Sequence, residues 1–299
     1  MHQPKPQPRN VISVDVEDYF HAEAFSTIVD SADWGNRISR VERNTVKILE
    51  LLARLEIHGT FFVLGWVAQQ YPGLVRQIAT AGHELASHSY WHRQIFRLEP
   101  GEFRADTQRA KDVIEQITGQ PIYGYRAPTF SIVESTLWAL DILAELGFQY
   151  DSSIFPIRHD RYGIPHAPRF PFRVTTPAGT IVEYPIATFR VWGKWNMPVG
   201  GGGYLRLYPE WYTRLGLRRA EREQLPVISY IHPWELDPHQ PDLRPPFATR
   251  IRHYTNLAKT EKRLEAMLRN GNFTSFRESG LDETVADCDI AAWGKNATK

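Results

Sequence analysis

The feature that most restricts this chain is the segment His83-Glu-Leu-Ala-Ser-His-Ser-Tyr-Trp-His-Arg93, in which two imidazoles, His88 and His92, stand four positions apart. On one helical turn that spacing sets their Cβ atoms about 5–6 Å apart on the same side. Neutral imidazole nitrogen suits zinc and its neighbours, and a catalytic site of that kind typically has three protein ligands and one open position. Two histidines therefore call for a third ligand, which an acid upstream can supply. Alone, such a pair is also an ordinary solvated helix face, so the reading depends on what the chain brings alongside it.

The apolar run Val11-Ile-Ser-Val14 reads as a buried strand that stops at three carboxylates, Asp15, Glu17 and Asp18. Next comes a helix over residues 44–55, with Ile48, Leu49, Leu52 and Leu55 on one stripe and Gly59 beyond its end. A strand follows at 60–64, then a helix opened by Pro72 and closed by Gly82, then a strand at 83–86 that delivers His88 just past its end. Two more helices, marked by Phe103 to Ile117 and by Leu137 to Ala144, precede the segments 123–126 and 148–151. This alternation places the chain in the α/β class, a parallel sheet wrapped by helices.

Between residues 156 and 208 the alternation lapses into prolines, aromatics and the run Gly200-Gly-Gly-Gly203, with 180–186 the one plausible strand. It reads as a cleft-shaping insertion, and the glycines as part of it or as a flexible connection. Order returns with a helix at 209–217, a strand at 227–231 leading into His232-Pro-Trp-Glu235, a helix at 259–268 and a strand at 273–276. Residues 1–10 are expected to be an extended tail, 11–280 one domain and 281–299 a loosely held tail; no repeat or linker divides them.

At 299 residues, 42% apolar, 23% charged and a net charge of +1, the chain can fill one large core and carries no signature of disorder or of a nucleic-acid partner. Cys288 is the single cysteine, so no internal disulfide forms. The first ten residues lack the apolar stretch of a signal peptide, and no window approaches the roughly 18 apolar residues of a membrane span. The expected location is the cytoplasm, at most peripheral to the inner membrane. The oligomeric state is left open.

Asp15, Glu17, Asp18, His88, His92, Arg126, Asp151 and His232 all fall at or just beyond expected strand ends on the carboxyl side. In barrels that edge collects catalytic groups, because loops from different strands converge there.

These segments resemble the motifs of the polysaccharide deacetylases, the NodB-homology group of carbohydrate esterases, over roughly residues 11–278. The stretches Ser13-Val-Asp-Val-Glu-Asp-Tyr-Phe20, Gly124-Tyr-Arg-Ala-Pro-Thr-Phe-Ser131 and Tyr150-Asp-Ser-Ser153 are most similar to the branch encoded with bacterial exopolysaccharide and exosortase systems. The resemblance implies a distorted (β/α)7-type barrel that removes N-acetyl groups from amino sugars with a divalent metal, commonly zinc. It makes His88 and His92 metal ligands and an acid of the first motif the third. The family has two adjacent aspartates, base then ligand, whereas this chain has Asp15-Val-Glu-Asp18. Asp15 is then the base. The third ligand is either Glu17, on the same strand face as Asp15, or Asp18, which has the family's side chain.

The same resemblance gives the backbone N–H near Thr129 to the oxyanion. His232 becomes the general acid, held by Asp151, while Arg126 pairs with Asp15. Trp192, Trp195 and Trp234 are candidates for a sugar groove or for core packing, and His83 is read as structural. The leading expectation is an N-deacetylase acting on an N-acetylated glycan of a bacterial exopolysaccharide or its lipid-linked precursor. A hydrolase of a non-sugar amide in the same fold and a sugar-binding relative without turnover are the alternatives.

Overall fold

The computed structural model describes residues 9–193, 195–290 and 293. Its strands are β1 (Asn10–Val16), β2 (Thr60–Val63), β3 (Glu84–Ser87), β4 (Gly124–Tyr125), β5 (Tyr150–Asp151), β6 (Phe172–Thr176), β7 (Gly179–Glu183), β8 (Thr188–Val191), β9 (Trp195–Pro198), β10 (Ile228–Ile231), β11 (Phe273–Thr274) and β12 (Ala286–Asp287). The helices are α1 (Val41–Arg54), α2 (Gly65–Gln70), α3 (Pro72–Thr80), α4 (Pro100–Thr118), α5 (Ala139–Glu145), α6 (Gly202–Leu207), α7 (Glu210–Arg222), α8 (Phe247–Tyr254) and α9 (Leu257–Arg269).

Parallel pairing runs along the path β10-β1-β2-β3-β4-β5-β7, with β6 antiparallel to β7 and β11 beside β1. The two ends of that path are joined by backbone hydrogen bonds, Ala187 N–H to the Ile228 carbonyl at 3.0 Å and Tyr230 N–H to the Gly200 carbonyl at 2.7 Å. The architecture is the expected distorted (β/α)7-type barrel.

Strand alternation sorts the side chains into two layers. Ile12, Val14, Val16, Phe61, Val63 and Leu85 pack outward against the helices, whereas Val11, Phe62, Ala86, Tyr150 and Tyr230 fill the lumen with Phe276 and Leu281. The helices begin and end where local chemistry dictates. In α4, Pro100 occupies the first turn, Glu99 and Glu102 form a reciprocal cap, and Gly119 stops the helix at φ 67°. Among the described residues, no helix is long and apolar enough to cross a membrane.

Two expectations need correction. The segment 156–208 contains β6, β7, β8, β9 and α6 rather than one strand, and β7 belongs to the barrel wall itself. Beyond Leu281, where a loose tail is expected, β12 pairs with β6 and Trp293 is buried against Phe172. Edge pairing and an aromatic contact hold those residues; the rest of the expected tails, residues 1–8, 291–292 and 294–299, lies outside the described residues.

Candidate active site

Strand register explains how distant residues meet. Val16, Val63, Ser87, Tyr125, Asp151 and Glu183 form one row across neighbouring strands, so Glu17, His88 and Arg126 leave their strands at the same height. On the other side of β1, Val14 pairs with Ile231, which brings Asp15 and His232 level.

Glu17, His88 and His92 are buried and hold their ligand atoms within 4.8 Å of one another. Glu17 Oε2 lies 3.3 Å from His92 Nε2 and has no hydrogen-bond donor of its own. His88 Nδ1 is 2.9 Å from the Arg126 carbonyl, and donation to that oxygen leaves Nε2 with its lone pair free for ligation. An orphaned carboxylate oxygen beside one imidazole so prepared and a second within reach fits a divalent cation. Asp18 does not belong to this group. Its Oδ1 accepts the Tyr19 N–H at 3.0 Å, and its Oδ2 accepts the Ser39 hydroxyl and the Arg40 N–H, each at 2.7 Å. It caps the chain leaving β1, so its expected place among the metal ligands is withdrawn.

The histidine spacing comes from a loop, not the helical turn that the sequence suggested. Ser89 (φ 63°) and His92 (φ 54°) are left-handed, and the imidazole centroids are 5.2 Å apart. Asp106 on α4 accepts the Tyr90 N–H at 2.7 Å and the Trp91 N–H at 3.3 Å, while Ser89 Oγ accepts the His92 N–H at 3.2 Å. Each such non-glycine residue costs about 1–3 kcal/mol, and strain of this kind persists only where its surroundings over-determine it.

Asp15 Oδ1 takes a 2.7 Å ion pair from Arg126, which is fully buried. The guanidinium also reaches Ser13 Oγ, the Ser152 carbonyl and Ser152 Oγ, and lies 4.1 Å above the Phe62 ring. Asp15 Oδ2 is 3.9 Å from His232 Nε2. His232 sits between two carboxylates, with Nε2 3.0 Å from Glu17 Oε1 and Nδ1 2.8 Å from Glu235 Oε1. Glu235 is in turn held by Arg206 at 2.9 Å, whose other nitrogens donate to the Thr255 and Arg252 carbonyls.

Asp151 is therefore not the partner of His232, as the resemblance implied. It stands in the wall beside Glu183, and Glu235, three residues beyond the histidine, takes that place. Neither Glu235 nor Arg206 was singled out in the sequence. The available signal was the i, i+3 spacing of His232-Pro-Trp-Glu235, which becomes a single 3-10 turn over Pro233–Leu236.

The electrostatics follow. Burial pulls His232 down, but Glu17 and Glu235 outweigh it and push its pKa up to about 10. Burial raises the Glu17 carboxyl, yet His92, His232 and His88 together hold it well below the usual carboxylate range. His88, desolvated more than it is helped by Asp15, is lowered to about 4, which keeps it neutral.

Thr129 is half-buried and left-handed (φ 56°), directly after Arg126-Ala127-Pro128. Trp234 is not a free platform. It is buried between His232 and His253, stacked at 5.1 and 4.2 Å, and braces the imidazole from behind. Trp192 and Trp195 stand exposed on the β8–β9 hairpin, which packs on α7 through Phe189 and Tyr212. His83 accepts the Gly59 N–H at 3.1 Å, a structural contact.

Fold and site define an α/β barrel with a carboxylate and two imidazoles arranged to hold a metal ion at its mouth. More particularly, residues 27–150 match the model of the polysaccharide deacetylase family, and residues 152–280 match a domain of unknown function, DUF3473. His88, His92 and Arg126 lie in the first match and His232 and Glu235 in the second, with Asp15 and Glu17 ahead of both. Among curated relatives, the chain is 31% identical to a peptidoglycan-N-acetylglucosamine deacetylase of Bacillus cereus over 32% of its own length and 36% of that protein's. It is 29% identical to a chitooligosaccharide deacetylase of Bradyrhizobium sp. over 33% of its length and 43% of that protein's. The match thus spans less than half of either relative.

Among solved structures, a candidate polysaccharide deacetylase from Mycobacterium smegmatis superposes with a TM-score of 0.61 at 20% identity, covering 96% of each chain. A CE4 family pseudoenzyme from Bacillus anthracis gives 0.50 at 15%, covering 96% of this chain and 69% of the other. At those identities the likeness is one of fold.

Proposed function

We propose that this protein is a metal-dependent hydrolase that removes N-acetyl groups from amino sugars of a bacterial exopolysaccharide or its precursor. One observation carries the reading: the Glu17, His88 and His92 group lies within hydrogen-bonding reach of a poised histidine, and a buried Asp15–Arg126 pair is beside them. The peptidoglycan and chitooligosaccharide deacetylases that it resembles support the class of substrate, and the motifs shared with the exopolysaccharide branch support the particular one.

Glu17, His88 and His92 are the residues that would hold the ion, zinc by resemblance. When bound, it supplies Lewis-acid polarisation of the acetamide carbonyl and makes water acidic enough to attack near neutral pH. Asp15 is the general base: Arg126 occupies one oxygen and aims the carboxylate, which leaves Oδ2 to take the proton of the attacking water. By resemblance, the Thr129 N–H in the turn after Arg126 is the donor to the oxyanion. His232, with Nδ1 fixed by Glu235, presents its Nε2 proton on the same side as Asp15 and passes it to the leaving amine. An intact base and acid at the site favour turnover over mere glycan binding.

The test is acetate release from a panel of N-acetylated glycans with and without chelator. Activity should vanish on chelation and return with metal. His88→Ala should lose both metal and activity, whereas His232→Ala should keep metal and lose about 10²–10⁴-fold in turnover. Chelator-resistant acetate release, or a His232→Ala enzyme of normal rate, would overturn the assignment.

A further inference from the structure

On the parallel neighbours β5 and β7, Asp151 stands opposite Glu183, so their side chains project from one face with strands about 4.8 Å apart. Both are fully buried. The two carboxyls lie close enough to interact, and neither Asp151 Oδ2 nor Glu183 Oε2 has a donor among the described residues. Two buried carboxyls so placed satisfy each other when one keeps its proton and donates it to the other.

The remaining oxygens are tied to the chain. Asp151 Oδ1 accepts the Ser153 hydroxyl at 2.5 Å, and Ser153 Oγ accepts the Ala127 N–H at 2.8 Å. Glu183 Oε1 accepts the Ile154 N–H at 2.8 Å. Between these two anchors, the Ser152 carbonyl and hydroxyl each hold Arg126 at 2.9 Å. Residues 152–154 thus form a bracket fastened to the acid pair on one side and gripping Arg126 and Ala127 on the other. Through Arg126 the bracket reaches Asp15 Oδ1 and, by the Arg126 carbonyl, His88 Nδ1.

We propose that Asp151 and Glu183, sharing one proton, are positioning residues that fix the 126–129 turn and through it the base and one metal-binding imidazole, with no part in holding the acid His232. Its kinetic readout rests on the deacetylase reading above. Burial pushes both carboxyls up, Glu183 well above the usual range, as a shared proton requires.

The roles differ in what an amide does. In Asp151→Asn the side-chain NH₂ donates to Glu183 where the shared proton lay, and the amide oxygen still accepts from Ser153. Turnover, KM and the pH profile should then stay within about threefold of wild type, and Glu183→Gln should behave alike. Asp151→Ala and Ser153→Ala break the bracket: kcat should fall about tenfold or more while KM holds, metal affinity should weaken through His88, and amide exchange over 126–131 should quicken. Ser153→Ala leaves the acid pair itself in place, which guards against an Asp151→Ala that fails to fold. An Asp151→Asn enzyme with lost turnover and a displaced pH profile would make Asp151 the partner of the acid. Alanine variants with wild-type kcat and exchange would reduce the pair to packing. If the wild type releases acetate from no glycan, the deacetylase reading falls, and exchange in Asp151→Asn against Ser153→Ala still decides the positioning claim.

Discussion

A histidine between two carboxylates keeps its proton to higher pH than one in water, and at His232 one of those carboxylates, Glu235, is buried and backed by Arg206. In Glu235→Gln the pull on the proton weakens, so the pKa of His232 falls and the protonated acid is lost earlier as pH rises. The alkaline limb of the pH–rate profile should move to lower pH, with metal content unchanged. Arg206 is left buried with one charge unanswered, a loss of about 3–5 kcal/mol that denaturant titration should register. An unmoved limb would show that Glu235 does not set the proton affinity of His232. The sequence named Asp15, Glu17, His88, His92, Arg126 and His232, and the fold gathers them. It missed at Asp151 and left Asp18 and Trp234 open, because residue type alone does not say where a side chain's hydrogen bonds go. Asp18 spends its oxygens on local backbone groups, and Asp151 faces a neighbour in the barrel wall.

Among the elements, the glycine run was the part the sequence left open, as cleft or connection, and packing answers it. A Cβ on Gly200 would meet the Ile228 carbonyl, and one on Gly202 would fall on Glu235 Oε1. The first turn of α6 therefore lies flat against the support of the candidate acid, a close approach that only glycine permits. Gly202→Ala should displace Glu235, cost about 1–3 kcal/mol and lower kcat without metal loss. Gly203→Ala, with open space around it, is the control and should be neutral or stabilised by up to about 1 kcal/mol. Equal behaviour of the two variants in melting and kinetics would contradict this account. β1, β2 and β10 were legible because their runs carry β-branched residues and are buried. β6, β8 and β9 were not, since part of each meets solvent.

At the scale of the molecule, buried titratable groups oppose each other. His21 and His253 are lowered by burial to about 3 from 6.5. The unfolded chain therefore takes up their protons below pH 6.5 while the folded one refuses them until about 3. Each removes about 1.4 kcal/mol of stability per pH unit across that window. Glu183, raised by burial, has the opposite sign: its folded form holds a proton that the unfolded chain releases as pH rises, so its contribution grows toward acid. The net curve mixes the two, and a difference isolates one. His253→Gln, which removes one such titration, should gain on the wild type steadily from pH 6.5 to 4 in denaturant midpoints. A pH-independent difference would contradict the linkage.

Among the described residues, the backbone of the wall closes on itself where Ala187 meets Ile228 and Gly200 meets Tyr230. A cylinder stitched by so few bonds on one side is a purse with a clasp. The hairpin bearing Trp192 and Trp195 is strung from that clasp, between residues 187 and 199. Both ends of that hairpin leave the wall at the closure itself, so a load on either exposed indole reaches the fastening before the rest of the barrel.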